Sequence, residues 1–575
     1  MSIQNAEIAA VFSEIADLLE IEAANPFRVR AYRNAARTIG ELGRSVQAMV
    51  AQGADLDALP GIGADLAAKI AEIVATGTCA LLGRLRKELP AGITELLKVP
   101  GLGPKRVRAL HHELGVQTVE QLQRAARDGR VQTIPGFGAK MQQALLEATA
   151  ARLHEEPRVA ISVAGPACES LLATLAAVPG VERAVVAGSL RRRRETVGDL
   201  DVLVTVRGDS PVIDRFVHDS DVRAVLASGA TRASVVLKSG LQVDLRAVPV
   251  ESFGAAWVYF TGSKAHNIAL RRLAQEQGLK INEYGVFKGR ERIAGDTEAS
   301  VYEAVGLRFI EPELREDRGE LEAARQGRLP TLVQLSDLRG DLHAHTRESD
   351  GHDSIEAMAA AARERGLSYL AITEHSRRLG VARGLDPVRL AKQIDRIDRL
   401  NEKAHGFTLL KGIEVDILDD GTLDLPDSIL QRLDLVVGAV HHRLDLSRAR
   451  QTDRVLRAMD SRHFTLLAHP TGRLLGERGP FEIDLLRVLR KARQRGCFVE
   501  LNAQPARLDL TDTACQMAKA EGVLVAIDSD AHSAYDFGHL ALGIGQARRG
   551  WLERADVLNT RSLEELRPLL ARTMG

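Results

Sequence analysis

Apolar residues repeat with different periods along the chain, and the changes of period divide it into regions of different predicted structure. Up to about residue 152, a helical period is interrupted by turns of glycine and proline, which predicts an all-α region. Between about residues 153 and 258, short apolar runs such as 184–187 and 202–204 predict buried strands. From residue 338, short apolar strands alternate with amphipathic helices, which is typical of α/β barrels.

Three turns of one form occur in the all-α region, each an apolar-Pro-Gly-apolar-Gly sequence that opens a helix, at 59–63, 99–103 and 134–138. Such glycines let main-chain N–H groups and a helix N-terminus approach a phosphate whatever the base sequence. A sharp turn without a ligand is the alternative, but one fold rarely needs the same turn three times. The candidate DNA-binding residues here are Gly61, Gly63, Lys69, Gly101, Gly103, Lys105, Gly136, Gly138 and Lys140.

One stretch of the second region holds the residue types that phosphoryl transfer requires. Asp199 and Asp201 are spaced i and i+2, so on a strand they share a face and can hold divalent cations between them. The turn 188–189 offers main-chain N–H groups to phosphate oxygens, and the arginines of 191–194 can neutralise the remaining negative charge of the phosphates. Asp244 falls among apolar residues of another predicted strand, which is costly unless it binds a metal.

Histidine is concentrated in the last region, where 11 of the 16 histidines follow residue 337. Polar residues, many of these histidines among them, lie at the carboxyl ends of seven predicted strands, which is where α/β barrels place their chemistry. A single buried histidine is usually a satisfied core residue, but six at strand ends are not explained that way. Imidazoles with carboxylates suit zinc, manganese or iron. The candidate ligands are His343, His345, Asp350, His375, Glu414, His441, His469, Asp530 and His532.

Further motifs, Tyr-Phe-Thr-Gly-Ser at 259–263 and Ile-Asn-Glu-Tyr at 281–284, follow the aspartates in order. With them, the chain from Phe27 to about Phe287 resembles a family X DNA polymerase of the DNA polymerase beta type, and the C-terminal region resembles a PHP domain. The predicted fold is therefore multidomain: an all-α helix-hairpin-helix region, an α+β nucleotidyltransferase palm with a small thumb, and a seven-stranded α/β barrel. The expected domains are 1–88 (lyase-like helix-hairpin-helix), 89–152 (helix-hairpin-helix fingers, DNA-binding), 153–258 (palm), 259–315 (thumb), 316–337 (linker) and 338–575 (PHP metallohydrolase).

The resemblance implies a role for each matching residue. Asp199 and Asp201 would bind both Mg²⁺ or Mn²⁺ ions, Asp244 would bind the catalytic ion and help activate the primer 3′-hydroxyl, and Arg271 would touch the template strand. The implied nucleotide-binding residues are Gly188, Ser189, Arg192, Gly198, Tyr259, Phe260, Gly262, Lys264 and Asn267. The PHP centre would hold three divalent metals (zinc, manganese or iron), supported by outer residues. These are His442, Glu374, Asn502 and Asp528.

Three positions depart from the family pattern or leave a role open. Gln242 replaces an arginine beside the catalytic aspartate, and Lys264 replaces an aspartate, which suggests that it holds a nucleotide before DNA arrives. Lys69 matches the lysine that forms a Schiff base in the lyase domain. Asp65 and Phe27 replace basic or polar partners there, so a phosphate contact is the alternative role of Lys69.

Composition sets the remaining expectations. The formal net charge is zero, so any affinity for DNA must come from local positive charge. Four distant cysteines without a Cys-x-x-Cys pair argue against a disulfide framework and favour a reducing cytosol. No apolar run approaches the length of a membrane span. We expect a cytoplasmic, nucleoid-associated monomer that does not bind membranes.

The sequence thus predicts a DNA-directed DNA polymerase that fills short gaps in DNA repair, with primer–template or gapped DNA and dNTPs as substrates. The PHP domain would act as a 3′–5′ exonuclease, an abasic-site endonuclease or a 3′-phosphatase. Two alternatives remain: a small-molecule phosphatase in the C-terminal half, and a non-catalytic DNA-binding scaffold in the N-terminal half. The three turns argue against the first, and the three aspartates argue against the second.

Overall fold

The computed structural model describes residues 5–22, 24–41, 46–59, 61–89, 93–97, 99, 101–154 and 158–574. The chain forms two compact units, Met1–Pro157 and Arg158–Gly575. Among the described helices, none alone is long and apolar enough to cross a membrane. One bent pair of helices, Ala64–Thr76 with Ala80–Arg86, is long and apolar enough when the two helices are counted together. Its first helix buries Leu66, Ile70 and Ile73, as core helices do.

The first unit is helical throughout the part that the structure describes. Its apolar side chains, from Ile8 and Phe12 in the first helix to Leu145 in the last, form one core. The α-helices are Asn5–Ile21, Pro26–Glu41, Val46–Ala51, Ala64–Thr76, Ala80–Glu88, Ile93–Leu97, Pro104–Leu114, Val119–Arg127 and Ala139–His154.

The three predicted turns share one geometry, although Pro60 and Pro100 lie outside the described residues. The first glycine of each turn, Gly61, Gly101 or Gly136, has a left-handed φ of 73°, 87° or 86°, which only glycine adopts readily. A helix begins directly after each second glycine. The apolar residue between the glycines is buried in every turn. A Cβ on each second glycine would meet no atom within 4 Å, so the main chain of these turns is open to a ligand.

A five-stranded sheet forms the centre of the palm. Its strand order is Val181–Val186, Asp199–Val206, Gln242–Pro249, Arg232–Leu237, Val222–Ser228. The second and third strands of this order are parallel, and the other pairs are antiparallel. Helices Ile161–Ala176 and Val212–Val217 cover one face, where they pack on Leu200, Val202 and Val204.

The opposite face of the same strand carries Asp199 and Asp201 at its start and the buried Leu203 further along. Helix Phe253–Thr261 covers only the Leu203 end of this face. Because successive side chains of a strand alternate between faces, the sequence Asp-Leu-Asp-Val-Leu-Val places both carboxylates at the uncovered end. The remaining elements of the palm are strands Val159–Ala160 and Thr196–Val197 and helix Gly188–Arg191.

The thumb follows as helices Lys264–Glu276 and Glu298–Glu303 around a three-stranded antiparallel sheet. The strands of this sheet are Leu279–Asn282, Gly285–Lys288 and Glu291–Ala294. The segment 316–337, which we expected to be a linker, contains helix Glu320–Arg325. Glu320 is fully buried and hydrogen-bonds His266 Nδ1 at 2.7 Å.

The C-terminal region has eight short strands among its described residues, and every pairing between them is parallel. One sheet contains Gly340–Asp341, Tyr369–Ile372 and Thr408–Lys411; the other contains Glu414–Asp416, Val437–Ala439, Leu466–Leu467, Phe498–Asn502 and Val525–Asp528. A bridge from Ala344 to Ala531 joins the outer strands of the two sheets, and a bridge from His375, which follows the central strand of the first sheet, to Glu414 joins the sheets on the other side. The strands therefore surround a common axis, as in a barrel.

The predicted number of seven strands is not confirmed. The strand that we expected to end at 412–414 is two strands, because the chain pairs with Tyr369–Ile372 up to Lys411 and with Val437–Ala439 from Glu414. The helices between the strands are Ile355–Glu364, Pro387–Asn401, Asp427–Leu430, Arg448–Met459, Leu485–Arg495, Asp512–Glu521, Leu540–Arg549 and Leu563–Ala571.

Candidate active sites

The three predicted catalytic aspartates of the palm lie together on one face of the sheet. Asp199 and Asp201 are on one strand, and Asp244 is on the parallel neighbour, with its Cα directly opposite that of Asp201. All three side chains are half-buried, whereas the intervening Leu200 and Val243 point into the core. Strand alternation and pairing register therefore bring together three carboxylates that are separated by 45 residues of sequence.

The negative charges of these aspartates repel one another. Burial, together with the charges of Asp199 and Asp244, raises the pKa of Asp201 to about 7, although the charges of Arg246 and Arg192 act to lower it. Crowded carboxylates of this kind are stabilised by cations between them. The donor set, carboxylate oxygens alone, is the one that Mg²⁺ and Mn²⁺ prefer. The three residues thus fit the divalent ions that the sequence implied.

Hydrogen bonds orient Asp244. Ser234 Oγ on the adjacent antiparallel strand donates to Oδ1 of Asp244, and Gln242 Nε2 donates to Oδ2 at 3.0 Å. Gln242 and Asp244 are two residues apart on one strand, so both side chains are on the same face. Where the resemblance led us to expect an arginine, an amide therefore holds the carboxylate.

The turn at Gly188 lies directly against Asp201. Gly188 has a φ of 59°, and a Cβ there would lie 2.0 Å from Asp201 Oδ2. The neighbouring Ala187 N–H donates to the main-chain oxygen of Asp201 at 2.8 Å. Ser189 follows in the short helix Gly188–Arg191 and is half-buried, and Gly198 directly precedes the aspartate strand. The close approach of turn and carboxylate requires glycine at position 188.

Two arginines of the predicted phosphate-binding run are held by the thumb. Arg191 pairs with both oxygens of Glu298 at 2.7 and 2.6 Å, and its guanidinium lies 3.4 Å from the centre of the Trp257 ring. Arg192 is buried; its Nε donates to Glu316 Oε1 at 3.0 Å and its Nη1 donates to a main-chain oxygen. That oxygen belongs to Thr261.

The other predicted nucleotide-binding residues are grouped around the end of helix Phe253–Thr261. Asn267 Nδ2 donates to the main-chain oxygen of Tyr259 at 2.7 Å, and the guanidinium of Arg246 lies 4.8 Å from the centre of the Phe260 ring. A Cβ on Gly262 would lie 3.1 Å from Arg192 Nη1. Lys264 of this set is exposed on the next helix, as is Arg271, the predicted template contact.

In the barrel, all nine predicted ligands meet at the carboxyl ends of the strands. Three overlapping groups have ligand atoms within 4.8 Å of one another, and they share His345 and His375. The groups are His345, Asp350, His375 and His532; His343, His345 and Asp530; and His375, Glu414 and His441. His469 Nε2, the ninth ligand, lies 2.9 Å from Glu414 Oε1.

Several atoms of this cluster are buried without a hydrogen-bond partner among the described residues, including His345 Nδ1 and His469 Nδ1. Leaving such atoms unpaired is costly unless a cation binds them. Two ligands also have left-handed backbone, His469 with a φ of 27° and Asp530 with a φ of 51°. Backbone strain at non-glycine residues is typical of functional sites. The cluster therefore fits metal ions.

Outer carboxylates fix the orientation of the histidines. His343 Nδ1 lies 2.6 Å from Glu500 Oε1, and His441 Nδ1 lies 3.0 Å from Asp416 Oδ1, so each ring directs Nε2 towards the cluster. Burial acts to lower the pKa of His343, but the charge of Glu500, with those of Asp530 and Glu414, outweighs it and raises the pKa well above its usual value. A bound cation would therefore displace a proton from this ring.

Family models match four segments of the chain. They are the helix-hairpin-helix domain at residues 3–79, the SAM-like helix-hairpin-helix tandem at 93–154, the DNA polymerase beta thumb at 256–316 and the PHP domain at 341–503. The DNA polymerase/3′-5′ exonuclease PolX of Bacillus subtilis (strain 168) is 38% identical over 570 residues, which cover 98% of this chain and 99% of that protein.

The chain belongs to the family X DNA polymerases that carry a C-terminal PHP domain. Parts of it also resemble shorter proteins. A probable phosphatase of Thermoanaerobacter sp. (strain X514) is 29% identical over 234 residues, covering 38% of this chain and 89% of that protein. A probable phosphatase of Acetivibrio thermocellus is 28% identical over 208 residues, covering 34% of this chain and 81% of that protein.

Reasoning from sequence missed several residues of this family X polymerase. Asp416 follows Glu414 at i+2, and Glu500 precedes Asn502 at i−2, so strand alternation could have found both. Ser234 could not have been found in that way, because only the pairing of two strands places it opposite Asp244.

Three of the four predicted outer residues of the PHP centre have clear partners. Asn502 Nδ2 donates to Asp530 Oδ2 at 3.0 Å, and Asp528 Oδ1 accepts from the main-chain N–H of Leu342 at 2.8 Å. Glu374 accepts hydrogen bonds from the hydroxyls of Thr346 and Ser349. The fourth, His442, has a buried Nε2 without a partner among the described residues.

Lys69 of this polymerase lies beside an acid. Its Nζ is 2.5 Å from Asp65 Oδ1. Burial acts to lower the pKa of Lys69, but Asp65 and Tyr32 outweigh it and raise the pKa above the usual value. A protonated amine is a poor nucleophile. The surroundings of Lys69 therefore disfavour Schiff-base chemistry at this residue.

Proposed function

We propose that this chain is a gap-filling DNA polymerase of DNA repair whose PHP domain hydrolyses phosphodiester or phosphomonoester bonds at DNA 3′ ends. The observation that carries the proposal is the presence of two separate acidic centres, the aspartate face of the palm and the nine-residue cluster of the barrel. The name of the Bacillus subtilis relative, which joins polymerase and 3′–5′ exonuclease, supports this pairing.

At the palm, Asp199, Asp201 and Asp244 would hold two Mg²⁺ or Mn²⁺ ions, which supply positive charge to the attacking and leaving oxygens of an in-line displacement. Ser234 and Gln242 hold the Asp244 carboxylate towards the primer 3′-hydroxyl. These two hydrogen bonds fix both oxygens before substrate arrives, which lowers the cost of reorganisation during the reaction.

The incoming dNTP would lie between the Gly188 turn and the thumb. Ser189, Gly198 and Arg192 bind its triphosphate, Tyr259, Phe260 and Gly262 enclose its sugar, and Asn267 reaches its base. Lys264 is exposed on the first turn of its helix, so it can meet a nucleotide before DNA binds. Arg271, seven residues further along the same face of this helix, would contact the template strand.

The open glycine turns of the first unit would bind the DNA backbone without reading its sequence. Lys69, Lys105 and Lys140 follow these turns, and the last two are exposed. Contacts of this kind are electrostatic, so affinity for DNA should fall steeply with salt.

At the barrel, the three overlapping ligand groups would hold three divalent metals that activate water against a phosphoester. Glu500 and Asp416 keep Nε2 of His343 and His441 directed inwards. The likeness to probable phosphatases favours a second candidate substrate for this centre, a small phosphomonoester. Rates on 3′-recessed DNA, 3′-phosphorylated DNA and histidinol phosphate would rank the three substrates.

Extension of one-nucleotide-gapped DNA with Mg²⁺ or Mn²⁺ tests the polymerase assignment. The Asp199→Ala/Asp201→Ala variant should not extend the primer, and equal extension by variant and native protein would refute the assignment. Degradation of a 3′-recessed primer tests the PHP assignment. The His343→Ala/His345→Ala variant should leave the primer intact, and unchanged degradation would refute that role.

A further inference from the structure

The barrel contacts the palm at the residues that follow the Gly188 turn. Helix Leu540–Arg549 passes so close that a Cβ on Gly545 would lie 3.3 Å from Arg193 Cβ. Arg473 pairs with both oxygens of Glu195 at 3.1 and 2.7 Å, and Gln546 Nε2 donates to Glu195 at 3.3 Å. Side chains of the segment beside the predicted triphosphate site are thus bound by residues of the PHP barrel.

Arg549, at the end of the same barrel helix, reaches Arg192 in two ways. Its Nη1 donates to the main-chain oxygen of Arg192 at 2.8 Å and to Glu316 Oε1 at 2.8 Å. Its Nη2 donates to Asp512 Oδ2 at 2.6 Å. The Nε of Arg192 donates to the same oxygen of Glu316, at 3.0 Å. One carboxylate oxygen is therefore shared by the barrel arginine and the predicted nucleotide-binding arginine.

These groups are buried, so their balance of charge matters. The side chains of Arg549, Glu316 and Arg192 are 3%, 9% and 11% exposed. Burial acts to raise the pKa of Glu316, but the charges of Arg192 and Arg549 outweigh it and hold the pKa below its usual range. A buried carboxylate that loses one of two cationic partners binds the other more strongly.

To bind a triphosphate, the Arg192 guanidinium must exchange some of its present hydrogen bonds for hydrogen bonds to phosphate oxygens. Its Nε and Nη1 are already hydrogen-bonded to Glu316 and Thr261. With Arg549 present, Glu316 is neutralised from two sides. Without Arg549, Glu316 would compete with the phosphate for Arg192, and the main chain at Arg192 would lose a donor.

We propose that Arg549 of the PHP barrel is a positioning residue for nucleotide binding at the polymerase site, acting through Glu316 and the main chain of Arg192. The proposal rests on the proposed role of Arg192 at the triphosphate. It makes the barrel part of the polymerase centre without a contact between barrel and nucleotide.

The test compares Arg549→Ala with the matched control Arg548→Ala in the full chain. Arg548 lies on the same helix, and its Nε pairs with Glu313 Oε1 at 2.7 Å, three residues before Glu316. Both variants lose a barrel-to-thumb ion pair, but only one loses the link to Arg192. Arg549→Ala should raise KM for dNTP in gap filling about tenfold with kcat nearly unchanged, whereas Arg548→Ala should leave KM unchanged.

Two further variants distinguish this positioning role from a role in stability alone. They are Arg549→Lys and the double variant Glu316→Gln/Arg549→Gln. The lysine variant keeps the charge beside Glu316 and should have an intermediate KM. The double variant removes the carboxylate that would otherwise compete with the triphosphate for Arg192, so its KM should be closer to that of the native protein than the KM of Arg549→Gln is. Equal KM values for Arg549→Ala and Arg548→Ala, or additive losses in the double variant, would overturn the proposal.

Arg192→Ala separates failure of this inference from failure of the proposed function. If Arg192→Ala leaves KM for dNTP unchanged, the proposed role of Arg192 is wrong and the inference fails with it. If Arg192→Ala raises KM and Arg549→Ala does not, only the role of Arg549 is wrong. Degradation of a 3′-recessed primer, measured on every variant, should remain at the native rate. Its loss in Arg549→Ala would overturn the proposal, because the change in KM would then follow from a disturbed barrel.

Discussion

Replacing Gly188 with alanine should disable the polymerase centre while leaving the PHP centre active. The new Cβ would lie 2.0 Å from Oδ2 and 2.8 Å from Cγ of Asp201, where ordinary contacts begin at 3.4 Å. The carboxylate must therefore move by more than 1 Å, or the turn must move away from it. Either shift changes the geometry of the three aspartates on the sheet.

The size of the effect follows from two contributions. Alanine at a left-handed φ of 59° costs about 1–2 kcal/mol of folding free energy. Displacing a reacting group by about 1 Å costs about 100-fold in rate, or about 2.7 kcal/mol of activation free energy. The first contribution lowers stability, and the second lowers only the rate of nucleotide addition.

Gly240→Ala is the matched control for Gly188→Ala. Gly240 lies in the turn between strands Arg232–Leu237 and Gln242–Pro249, its φ is 88°, and a Cβ there would meet no atom within 4 Å. Both variants should show similar losses of melting temperature. Single-turnover filling of a one-nucleotide gap should fall about 100-fold in Gly188→Ala alone. Equal rates in the two variants would refute the reasoning about Asp201.

Three further predictions concern single contacts. Gln242→Leu should lower kcat/KM for extension about tenfold, because Asp244 loses a charge-assisted hydrogen bond, and an unchanged value would contradict this. Glu500→Gln should raise the Mn²⁺ concentration needed for half-maximal primer degradation about 10–100-fold, because His343 loses its orienting partner. Primer extension should stay normal in the same metal titration. Although burial acts to raise it, the pKa of Glu298 lies below its usual range because Arg191 and Arg315 pair with it. The ion pairs of Glu298 therefore stabilise the fold fully above the usual titration range of a glutamate, and this stabilisation is lost as the pH falls through the lowered folded pKa. The difference in melting temperature between native protein and Glu298→Gln should narrow in acid, and a difference that widens would contradict this prediction.

Sites built from local patterns could be predicted from the sequence. The spacing of Asp199 and Asp201, or of His343 and His345, places side chains on one face of a strand whatever the rest of the fold does. The glycine turns are equally local, because a left-handed φ at Gly61, Gly101 and Gly136 needs no partner elsewhere.

Contacts between distant segments could not be predicted in this way. Ser234 faces Asp244 only because two antiparallel strands pair in one register. Glu316 and Arg549 are 233 residues apart, and nothing in the sequence around either one indicates the other. The third barrel strand divides after Lys411 because its pairing partner changes, which hydrophobic patterning does not encode.

The most direct test of two independent centres assays each double variant in the reaction of the other centre. Asp199→Ala/Asp201→Ala should still degrade a 3′-recessed primer at the native rate, and His343→Ala/His345→Ala should still fill a one-nucleotide gap. Both reactions use the full chain with Mn²⁺ and the same DNA ends. Loss of both activities in either double variant would contradict the account.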